Sequence, residues 1–542
     1  MISANIPQTP AVINEPVRNY IPGSEEVLSL QLKMDEMAAE VLDIPCIING
    51  QEVRTGRTEA VVMPHNHQHV LANAHLAGKD ELNAAADAAV AAQAKWQSLP
   101  WQSRAAVFLK AADLLEGPYR NEINAATMHG QSKNVFQAEI DSACELIDFL
   151  RFNAKFYEQI MSQQPVSSAG VWNQLDWRPL EGFVLAITPF NFTAIAGNLP
   201  ATPAMLGNTV VWKPSGTQMY SAHVIMKVFM EAGLPDGVIN MVAANGPDAG
   251  AALLPRPELA GVHFTGSTPT FQHIYAEVGG NISRYNSYPR LVGETGGKDF
   301  VFAHESANPI AVATALSRGA FEYQGQKCSA ASRAYIPSSM WPEVKAQLST
   351  DLASFKMGST RDFSNFINAV IDERSFDKIK TYIDYAQAAD DAEVIIGGTC
   401  DKTTGYFVEP TVILTTDPNF KTMSEEIFGP VLTIFVYDEK DFEATLDLCD
   451  QGSAYALTGA IFAQDRYMIN HMADRLRYAA GNFYVNDKPT GAVVGQQPFG
   501  GGRASGTNDK AGSALNLYRW LSPRTIKETF VTPIDYRYPF LG

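Results

Sequence analysis

The sequence has few cysteines, a deficit of basic residues and no uninterrupted apolar stretch long enough to cross a membrane. Five cysteines occur in 542 residues, with no CxxC pair, so a disulfide framework and a zinc ribbon are not indicated and a reducing compartment fits best. Lysine and arginine total 41 against 58 acidic residues, a formal net charge of −17. This deficit argues against nucleic acid and anionic membranes as partners. The most apolar segment, residues 183–206, is interrupted by three prolines and two asparagines, so it predicts no membrane span.

The first forty residues lack the features of a targeting peptide. Their only cations are Arg18 and Lys33, and prolines interrupt them at four positions. Neither an apolar core segment nor an arginine-rich amphipathic pattern is present, so the segment does not read as a signal or transit peptide. It predicts a polar arm that leads into a short helix at residues 25–42.

The chain contains enough apolar material for a large core. Hydrophobic residues make up 46% and charged residues 18% of it, as in ordinary globular proteins. Its length allows about three or four domains, or two large ones with an appendage.

Short β-rich segments alternate with helical periods over residues 183–481, and this alternation predicts an α/β protein built from parallel β–α–β units. The predicted strands are 183–188, 209–213, 238–242, 261–265, 332–337, 393–396, 406–414 and 431–436. The predicted helices are 217–232, 306–322, 340–355, 373–389 and 440–450. Upstream, the pair Asn49-Gly50 predicts a β-hairpin, and an alanine-rich region ends in a predicted helix over residues 137–159.

Three histidines, His65, His67 and His69, alternate along one predicted strand and would share a face. No other cluster with metal-ligand spacing follows, so a solvated strand edge is favoured over a metal site. We therefore expect no bound metal.

Cys328 stands beside Lys327 at the end of a helical pattern and is followed by small residues. A neighbouring cation lowers the pKa of a thiol, and the thiolate is the nucleophile. The local context thus indicates a reactive cysteine, although a buried structural cysteine is an alternative explanation.

Acids, amides and glycines follow several other predicted strands. Glu294 is followed by the pair Gly296-Gly297, which implies tight backbone geometry at an acid. Gly266 opens a predicted helix whose N-terminus can receive a phosphate, while Lys213 and Asn191 end two further strands. Each of these signals alone is also explained as turn punctuation.

Taken together, these stretches resemble the aldehyde dehydrogenases from about residue 45 to the C-terminus. The matching motifs, in chain order, are Pro189-Phe-Asn191, Trp212-Lys-Pro214, Phe264-Thr-Gly-Ser267, Glu294-x-Gly-Gly-Lys298, Gly325-Gln-x-Cys328, Glu426-x-Phe-Gly-Pro430 and Pro498-Phe-Gly-Gly501. Within the family the chain is most similar to the 1-pyrroline-5-carboxylate dehydrogenases, in the segments 137–141, 145–149, 321–328, 494–500 and 504–509. With no flavin-binding proline dehydrogenase segment before it, it resembles the monofunctional form.

The resemblance implies NAD-dependent oxidation of L-glutamate γ-semialdehyde to L-glutamate, the second step of proline catabolism. Cys328 would attack the aldehyde to give a thiohemiacetal and then a thioester, with the oxyanion between its own N–H and the Asn191 amide. Glu294 would activate the hydrolytic water. The implied cofactor residues are Thr188, Lys213, Gly266, Ser267, Thr268, Pro269, Thr270, Glu426 and Phe428.

The resemblance also implies a pocket for a zwitterion with an aldehyde tail. The backbone of residues 490–492 would hold the carboxylate, and Glu145, paired with Lys327, would lie near the ammonium. The implied substrate residues are Glu145, Phe192, Lys327, Ser329, Gly491, Ala492 and Phe499.

Two positions depart from the pattern of related enzymes. Ala492 stands where a hydroxyl is often found, so one hydrogen bond to the substrate carboxylate is expected to be missing. Gly216 stands where NAD-preferring relatives often have an acid. Because no arginine lies nearby in the sequence, we expect NAD as the preferred cofactor and NADP to be accepted more weakly.

The resemblance implies the aldehyde dehydrogenase fold, with a Rossmann-like nucleotide-binding domain, an α/β catalytic domain and a small oligomerisation element. We expect an N-terminal arm over residues 1–44, an NAD-binding domain over 45–164 and 183–295, and a catalytic domain over 296–495. The oligomerisation element would comprise residues 165–182 and 510–542, in a homodimer or higher homo-oligomer. The expected compartment is the bacterial cytoplasm or, in a eukaryote, the mitochondrial matrix after processing.

Three alternatives remain at this point. A general or CoA-acylating semialdehyde dehydrogenase would share the motifs, although an acylating enzyme need not activate water through Glu294. A non-catalytic relative would need neither Cys328 nor Asn191. A papain-like hydrolase would need a histidine in a suggestive context near Cys328, and the sequence offers none.

Overall fold

The computed structural model describes residues 6–542, and its two largest sheets have seven strands each. In spatial order the first sheet comprises Arg290–Glu294, Leu259–Thr265, Phe183–Ile187, Thr209–Lys213, Ile239–Met241, Cys46–Ile48 and Gln51–Val53. The first five strands are parallel and the last two form an antiparallel hairpin. A parallel sheet of this kind is buried on both faces by its crossover helices.

Helices cover both faces of the first sheet. One face packs against Trp101–Glu116, Arg120–Gln131, Glu145–Met161, Thr193–Met205 and Met219–Glu231. The other packs against Lys79–Gln97, Gly246–Leu253 and Thr268–Gly280. Successive residues of the central strand alternate between the two cores, Val184 facing one and Leu185 the other, as the pleat of a strand requires.

The second sheet has the same layered construction. In spatial order its strands are Ala392–Ile396, Thr411–Thr415, Val431–Tyr437, Ala331–Pro337, Asp299–Ala303, Thr458–Phe462 and Asn482–Val485. All pairings are parallel except that of the edge strand Ala392–Ile396. Helices Pro309–Phe321 and Trp341–Ser354 cover one face, and Glu373–Gln387, Phe442–Gln451 and Arg466–Arg475 cover the other.

The remaining elements are short or peripheral. The helices are Glu25–Ala38, Val135–Ala138, Lys421–Ser424 and Ala514–Tyr518. Strands Leu42–Ile44, Asn66–His75 and Thr58–Met63 form a three-stranded sheet, and Cys400–Asp401 with Phe407–Val408 and Tyr455–Ala456 with Gly502–Arg503 form two-stranded ones. A two-stranded ribbon pairs Val171–Pro179 with Leu521–Thr529 over nine residue pairs.

The α/β class and the hairpin predicted from the sequence are confirmed. Asn49 and Gly50 have φ of 51° and 72°, the left-handed conformation that a two-residue hairpin turn requires. The predicted strand at 406–414 is wrong in one respect, because it is two strands separated at Pro410, which has no N–H to donate to a ladder. The division into domains stays a prediction.

The predicted helix over residues 137–159 is also wrong in one respect. A π-helical turn, Glu139–Cys144, separates Val135–Ala138 from Glu145–Met161. Glu139 is buried in this turn and pairs with the buried Arg120. Hydrophobic periodicity does not reveal such a turn, which commonly lies near functional sites.

The predicted three-histidine face is wrong, because His65 lies in the turn before strand Asn66–His75. Its ring contacts the Ser132 and Thr360 hydroxyls, and burial lowers its pKa to about 3. Within residues 6–542 no group of three or more histidine, cysteine, aspartate or glutamate side chains is arranged to hold a metal ion. None of the helices in that range combines the length and apolar character that a bilayer crossing requires.

Candidate active site

The carboxyl ends of the parallel strands in the first sheet bring distant polar residues to one edge. Ile187 lies opposite both Lys213 and Phe264 in the strand register, and Thr265 lies opposite Glu294. Because parallel strands end at the same edge, Thr188, which follows Ile187, is a neighbour of these groups. This is the edge where open α/β sheets bind their ligands.

Cys328 follows a tightly held left-handed segment. Tyr323 and Gln324 have φ of 51° and 53°, which is uncommon for residues with a side chain. The Tyr323 hydroxyl donates to the Gln131 carbonyl at 2.9 Å, and the Gln324 amide donates to the Ala369 carbonyl at 2.8 Å. These bonds hold the backbone that leads into the cysteine.

Cys328 and Glu294 line one and the same pocket. All seven residues predicted from the sequence to contact substrate line the same pocket: Glu145, Phe192, Lys327, Ser329, Gly491, Ala492 and Phe499. Their individual roles stay predictions. The structure also places the loop that carries Thr490 against Ser329, and the hydroxyls of these two residues are 2.8 Å apart.

The predicted low pKa of the Cys328 thiol is wrong. Burial raises it well above its usual value, and the carboxyls of Glu294, Asp299 and Glu426 raise it further. The ammonium of Lys327 faces away toward carboxylates, 3.4 Å from Glu322. Sequence adjacency therefore does not place that cation on the sulfur, and the resting cysteine is a thiol.

Glu294 is also held in its protonated form. Burial raises its pKa to about 8, with Lys510 lowering it and Asp509 raising it by smaller amounts. A carboxyl with a pKa near the working pH can both accept and release a proton. Asn191, the predicted oxyanion donor, is buried and its amide donates to the Gln326 carbonyl at 3.0 Å, two residues before Cys328.

The predicted pairing of Lys327 with Glu145 is wrong. Lys327 lies 3.9 Å from Asp141 besides its contact with Glu322, and Glu145 forms no ion pair within the described chain. Burial, and then Asp141, raise the pKa of Glu145 well above its usual value. Asp141, in the π-helical turn, lies within ion-pair distance of both Lys327 and a second buried lysine, Lys133.

Lys133, which sequence reasoning missed, is buried behind two residues that line the pocket, Asp141 and Phe192. Its ammonium lies 2.6 Å from Asp141 and 4.1 Å from the centre of the Phe192 ring. Burial lowers its pKa to about 8, against the attraction of Asp141. The four-residue spacing of Asp141 and Glu145 indicates two acids on one face of a helix, but no sequence pattern places Lys133 beside them.

The edge of the first sheet also carries the predicted nucleotide residues. The Lys213 ammonium has one hydrogen bond, to the Pro214 carbonyl at 3.3 Å, and burial lowers its pKa. Helix Thr268–Gly280 starts at Ser267, whose hydroxyl accepts from the Thr270 N–H at 3.4 Å.

Two glycines leave room for these groups. A Cβ on Gly296 would lie 2.3 Å from the Glu426 carboxylate, which accepts from the Gly297 N–H at 3.0 Å. At Gly216 a Cβ would meet only the carboxylate of Glu59, at 3.7 Å. Sequence reasoning missed Glu59 because it lies on strand Thr58–Met63, far from Gly216 in the chain.

Phe428 packs against Phe190, which precedes Asn191 in the chain. It has φ of 62°, and its ring contacts the ring of Phe190 edge to face, with centroids 5.8 Å apart. The geometry thus combines a thiol, an ionisable carboxyl and a charged wall in one pocket, next to an edge that offers an ammonium, a carboxylate and a helix N-terminus.

Comparisons with known proteins agree with this arrangement. The family described as "Aldehyde dehydrogenase family" matches residues 52–526. A protein of Dictyostelium discoideum named "Delta-1-pyrroline-5-carboxylate dehydrogenase, mitochondrial" is 53% identical over 541 residues, which cover 99% of this chain and 96% of that protein.

Two solved structures are similar over nearly the whole chain. The Delta-pyrroline-5-carboxylate dehydrogenase from Mycobacterium tuberculosis bound with NAD superposes with a TM-score of 0.96, at 53% identity, covering 100% of both chains. The 1-pyrroline-5-carboxylate dehydrogenase from Thermus with bound NAD superposes with a TM-score of 0.90, at 30% identity, covering 96% of this chain and 99% of that one.

Proposed function

This chain belongs to the aldehyde dehydrogenase family, and we propose that it oxidises L-glutamate γ-semialdehyde, the open form of 1-pyrroline-5-carboxylate, to L-glutamate with NAD. The observation that carries the proposal is the single pocket that joins Cys328 and Glu294 to a wall of buried charges. A plain aldehyde has no charged group that such a wall could recognise.

Cys328 is the group that bonds to the substrate. Its sulfur adds to the aldehyde carbon to form a thiohemiacetal, and after oxidation it holds the acyl group as a thioester. NAD, when bound, supplies the acceptor for the hydride. Glu294 takes a proton from the water that attacks the thioester, which releases the carboxylic acid and the free thiol.

The edge of the first sheet fits a dinucleotide. Ribose hydroxyls can accept a hydrogen bond from the Lys213 ammonium and donate one to the Glu426 carboxylate. The turn from Gly266 to Thr270 opens helix Thr268–Gly280, whose first N–H groups favour a pyrophosphate. Thr188 and Phe428 are the remaining residues proposed to contact the cofactor.

The pocket wall supports recognition of a zwitterion. Gly491 has φ of 94°, so the loop around it can turn its backbone N–H groups toward a substrate carboxylate, and Ala492 adds no hydroxyl there. Glu145 would receive the ammonium. Phe192 and Phe499 would enclose the methylene groups between the two charged ends.

The proposal also includes a homo-oligomer and a cellular compartment. The ribbon of Val171–Pro179 and Leu521–Thr529 is a two-stranded sheet of its own and would serve the association. The mitochondrial location in the name of the Dictyostelium protein supports a matrix location if the source is a eukaryote, and the bacterial cytoplasm is the counterpart expected otherwise.

The test is a comparison of kcat/KM for glutamate γ-semialdehyde and pentanal, followed as NADH formation. Each charged end of the substrate contributes a hydrogen-bonded charge interaction of roughly 1.5–3 kcal/mol, about tenfold to a hundredfold in kcat/KM. We expect a preference of at least that size for the semialdehyde. Equal efficiency with pentanal would instead identify a general aldehyde dehydrogenase.

A further inference from the structure

We propose that the N-terminal arm, residues 6–20, takes part in substrate recognition through Asn14, which bridges the helix that carries Glu145 to the loop that carries Gly491. The bridge sets the separation of the two walls that receive the ammonium and carboxylate ends of the substrate. The inference rests on the proposed function, and it assigns a specificity role to a segment more than a hundred residues from any pocket residue in the chain.

The bridge consists of three hydrogen bonds around one side-chain amide. Asn14 donates to the Asp148 carboxylate at 2.8 Å and to the Val494 carbonyl at 2.9 Å. Its own carbonyl accepts from the side-chain amide of Gln496 at 2.8 Å. Both amide hydrogens and the oxygen are therefore used, and the geometry of the two partners is fixed relative to each other.

Both ends of the bridge lie next to pocket residues. Asp148 follows Glu145 by three residues in helix Glu145–Met161, so the two share one turn. Val494 itself lines the pocket, as Gly491 does. A shift of either end of the bridge thus changes the distance between the wall that receives the substrate ammonium and the wall that receives the substrate carboxylate.

The arm is anchored firmly enough to hold this position. The Glu15 N–H donates to Asp148 at 2.7 Å, and the buried Glu15 carboxylate pairs with Arg120 at 2.5 Å and Arg151 at 2.9 Å. Arg120 in turn pairs with Glu139 in the π-helical turn. Breaking such buried pairs is strongly unfavourable, so the arm is fixed beside the turn that leads into Glu145.

The two walls also touch through apolar packing, which the bridge complements. The backbone of Gly495 lies so close to the Phe152 ring that a Cβ would come within 2.3 Å of it. Packing of this kind holds the loop near the helix but gives little directional preference. Hydrogen bonds at defined distances supply the direction.

The decisive variant is Asn14→Ala, measured with glutamate γ-semialdehyde and with pentanal. We expect KM for the semialdehyde to rise about three- to tenfold, the effect of one or two hydrogen bonds, with kcat nearly unchanged. KM for pentanal should not change, because pentanal has no charged ends to span. A matched control is Thr9→Val, which removes a hydrogen bond from the same arm to Glu158 on the same helix, away from the pocket.

A second variant tests the bridge from its other end. Gln496→Leu removes the bond to Asn14 but leaves Asn14 on Asp148. It should raise the semialdehyde KM less than Asn14→Ala, and the double variant should match Asn14→Ala alone, since residues of one network are not additive. Additive effects on KM would mean that the two residues act separately.

The outcomes separate this inference from the proposed function. If the wild type oxidises both aldehydes equally well, the proposed function fails. If the wild type prefers the semialdehyde and Asn14→Ala either leaves that preference intact or raises both KM values equally, the bridge has no role in recognition. Should Asn14→Ala fail to fold, as judged by circular dichroism, Gln496→Leu alone decides by the same comparison of the two KM values.

Discussion

At the scale of single residues, the pocket keeps both reacting groups protonated at neutral pH. Burial raises the pKa of the Cys328 thiol well above its usual value and that of the Glu294 carboxyl to about 8. Protonated, the thiol is a weak nucleophile and the carboxyl cannot act as a base.

The pH dependence of hydrolysis follows from Glu294. The carboxylate is the base, and because its pKa is about 8, the basic fraction rises with pH through that value. We expect steady-state kcat to increase between about pH 6.5 and 9 and to level off above that range. The measurement is a pH profile of NADH formation at saturating substrate. A profile that is flat from pH 6 to 9 would show that Glu294 does not limit turnover.

Glu294→Gln should separate the two halves of the reaction. Oxidation can still take place once, because Cys328 is intact, but the thioester then lacks its base. We expect a stopped-flow burst of about one NADH per active site followed by turnover at least a hundredfold slower, within the usual range for loss of a general base. If the burst itself disappears, Glu294 acts before hydride transfer.

Cys328→Ala should abolish oxidation and leave NAD binding nearly unchanged. The sulfur makes the covalent bond to substrate, whereas Lys213, Gly266 and Glu426 lie at the edge of the first sheet or beside it. The measurement pairs NADH formation with the quenching of tryptophan fluorescence by NAD. Retained steady-state turnover would contradict the assignment of Cys328 as the nucleophile.

Glu59 changes the reasoning about cofactor preference. The sequence shows a glycine at position 216, but the structure brings the Glu59 carboxylate to within 3.7 Å of the place a Cβ would occupy there. That carboxylate would repel a 2′-phosphate. We expect Glu59→Gln to improve NADP affinity relative to NAD by roughly tenfold at low salt, the effect of one partly screened charge pair.

The measurement for Glu59 is the dissociation constant of each nucleotide by calorimetry. Gly216→Glu is the converse variant, and it should weaken NADP further with NAD close to wild type. An unchanged ratio of the two constants in Glu59→Gln would show that the carboxylate lies too far from the ribose to act.

At the scale of secondary structure, the sequence predicted most strands and helices but not the features that shape the pocket. The strand Thr209–Lys213 and the helix Trp341–Ser354 follow from ordinary periodicity. The π-helical turn Glu139–Cys144 does not, because Glu139 in it forms an ion pair with Arg120 and accepts hydrogen bonds from the Arg18 N–H and the Tyr20 hydroxyl of the N-terminal arm. Motifs predicted which residues meet at the pocket, whereas the direction of Lys327 and the presence of Lys133 depend on tertiary contacts.

The π-helical turn should depend on its buried ion pair. Glu139→Gln leaves Arg120 with Glu15 as its remaining carboxylate partner, so we expect a loss of about 3 kcal/mol, the lower end of the range for breaking a buried pair. The measurement is the midpoint of urea unfolding. Glu36→Gln is the control, since it removes an exposed pair with Lys33 and should cost about 0.5 kcal/mol or less. Equal shifts in the two variants would contradict this.

At the scale of the whole molecule, the C-terminal tail, residues 530–542, lies outside the two large sheets. Beyond the ribbon, Ile534, Tyr536 and Phe540 are 101%, 85% and 83% exposed, and an apolar segment of this size rarely faces water without a partner. We expect a second copy of the chain to cover it, so the full chain should be a homo-oligomer by light scattering. Removal of residues 530–542 should weaken the association at equal concentration and leave the ribbon pairs intact. A full chain that is monomeric at micromolar concentration would contradict this expectation, and an unchanged oligomer after truncation would assign the contact to the ribbon instead.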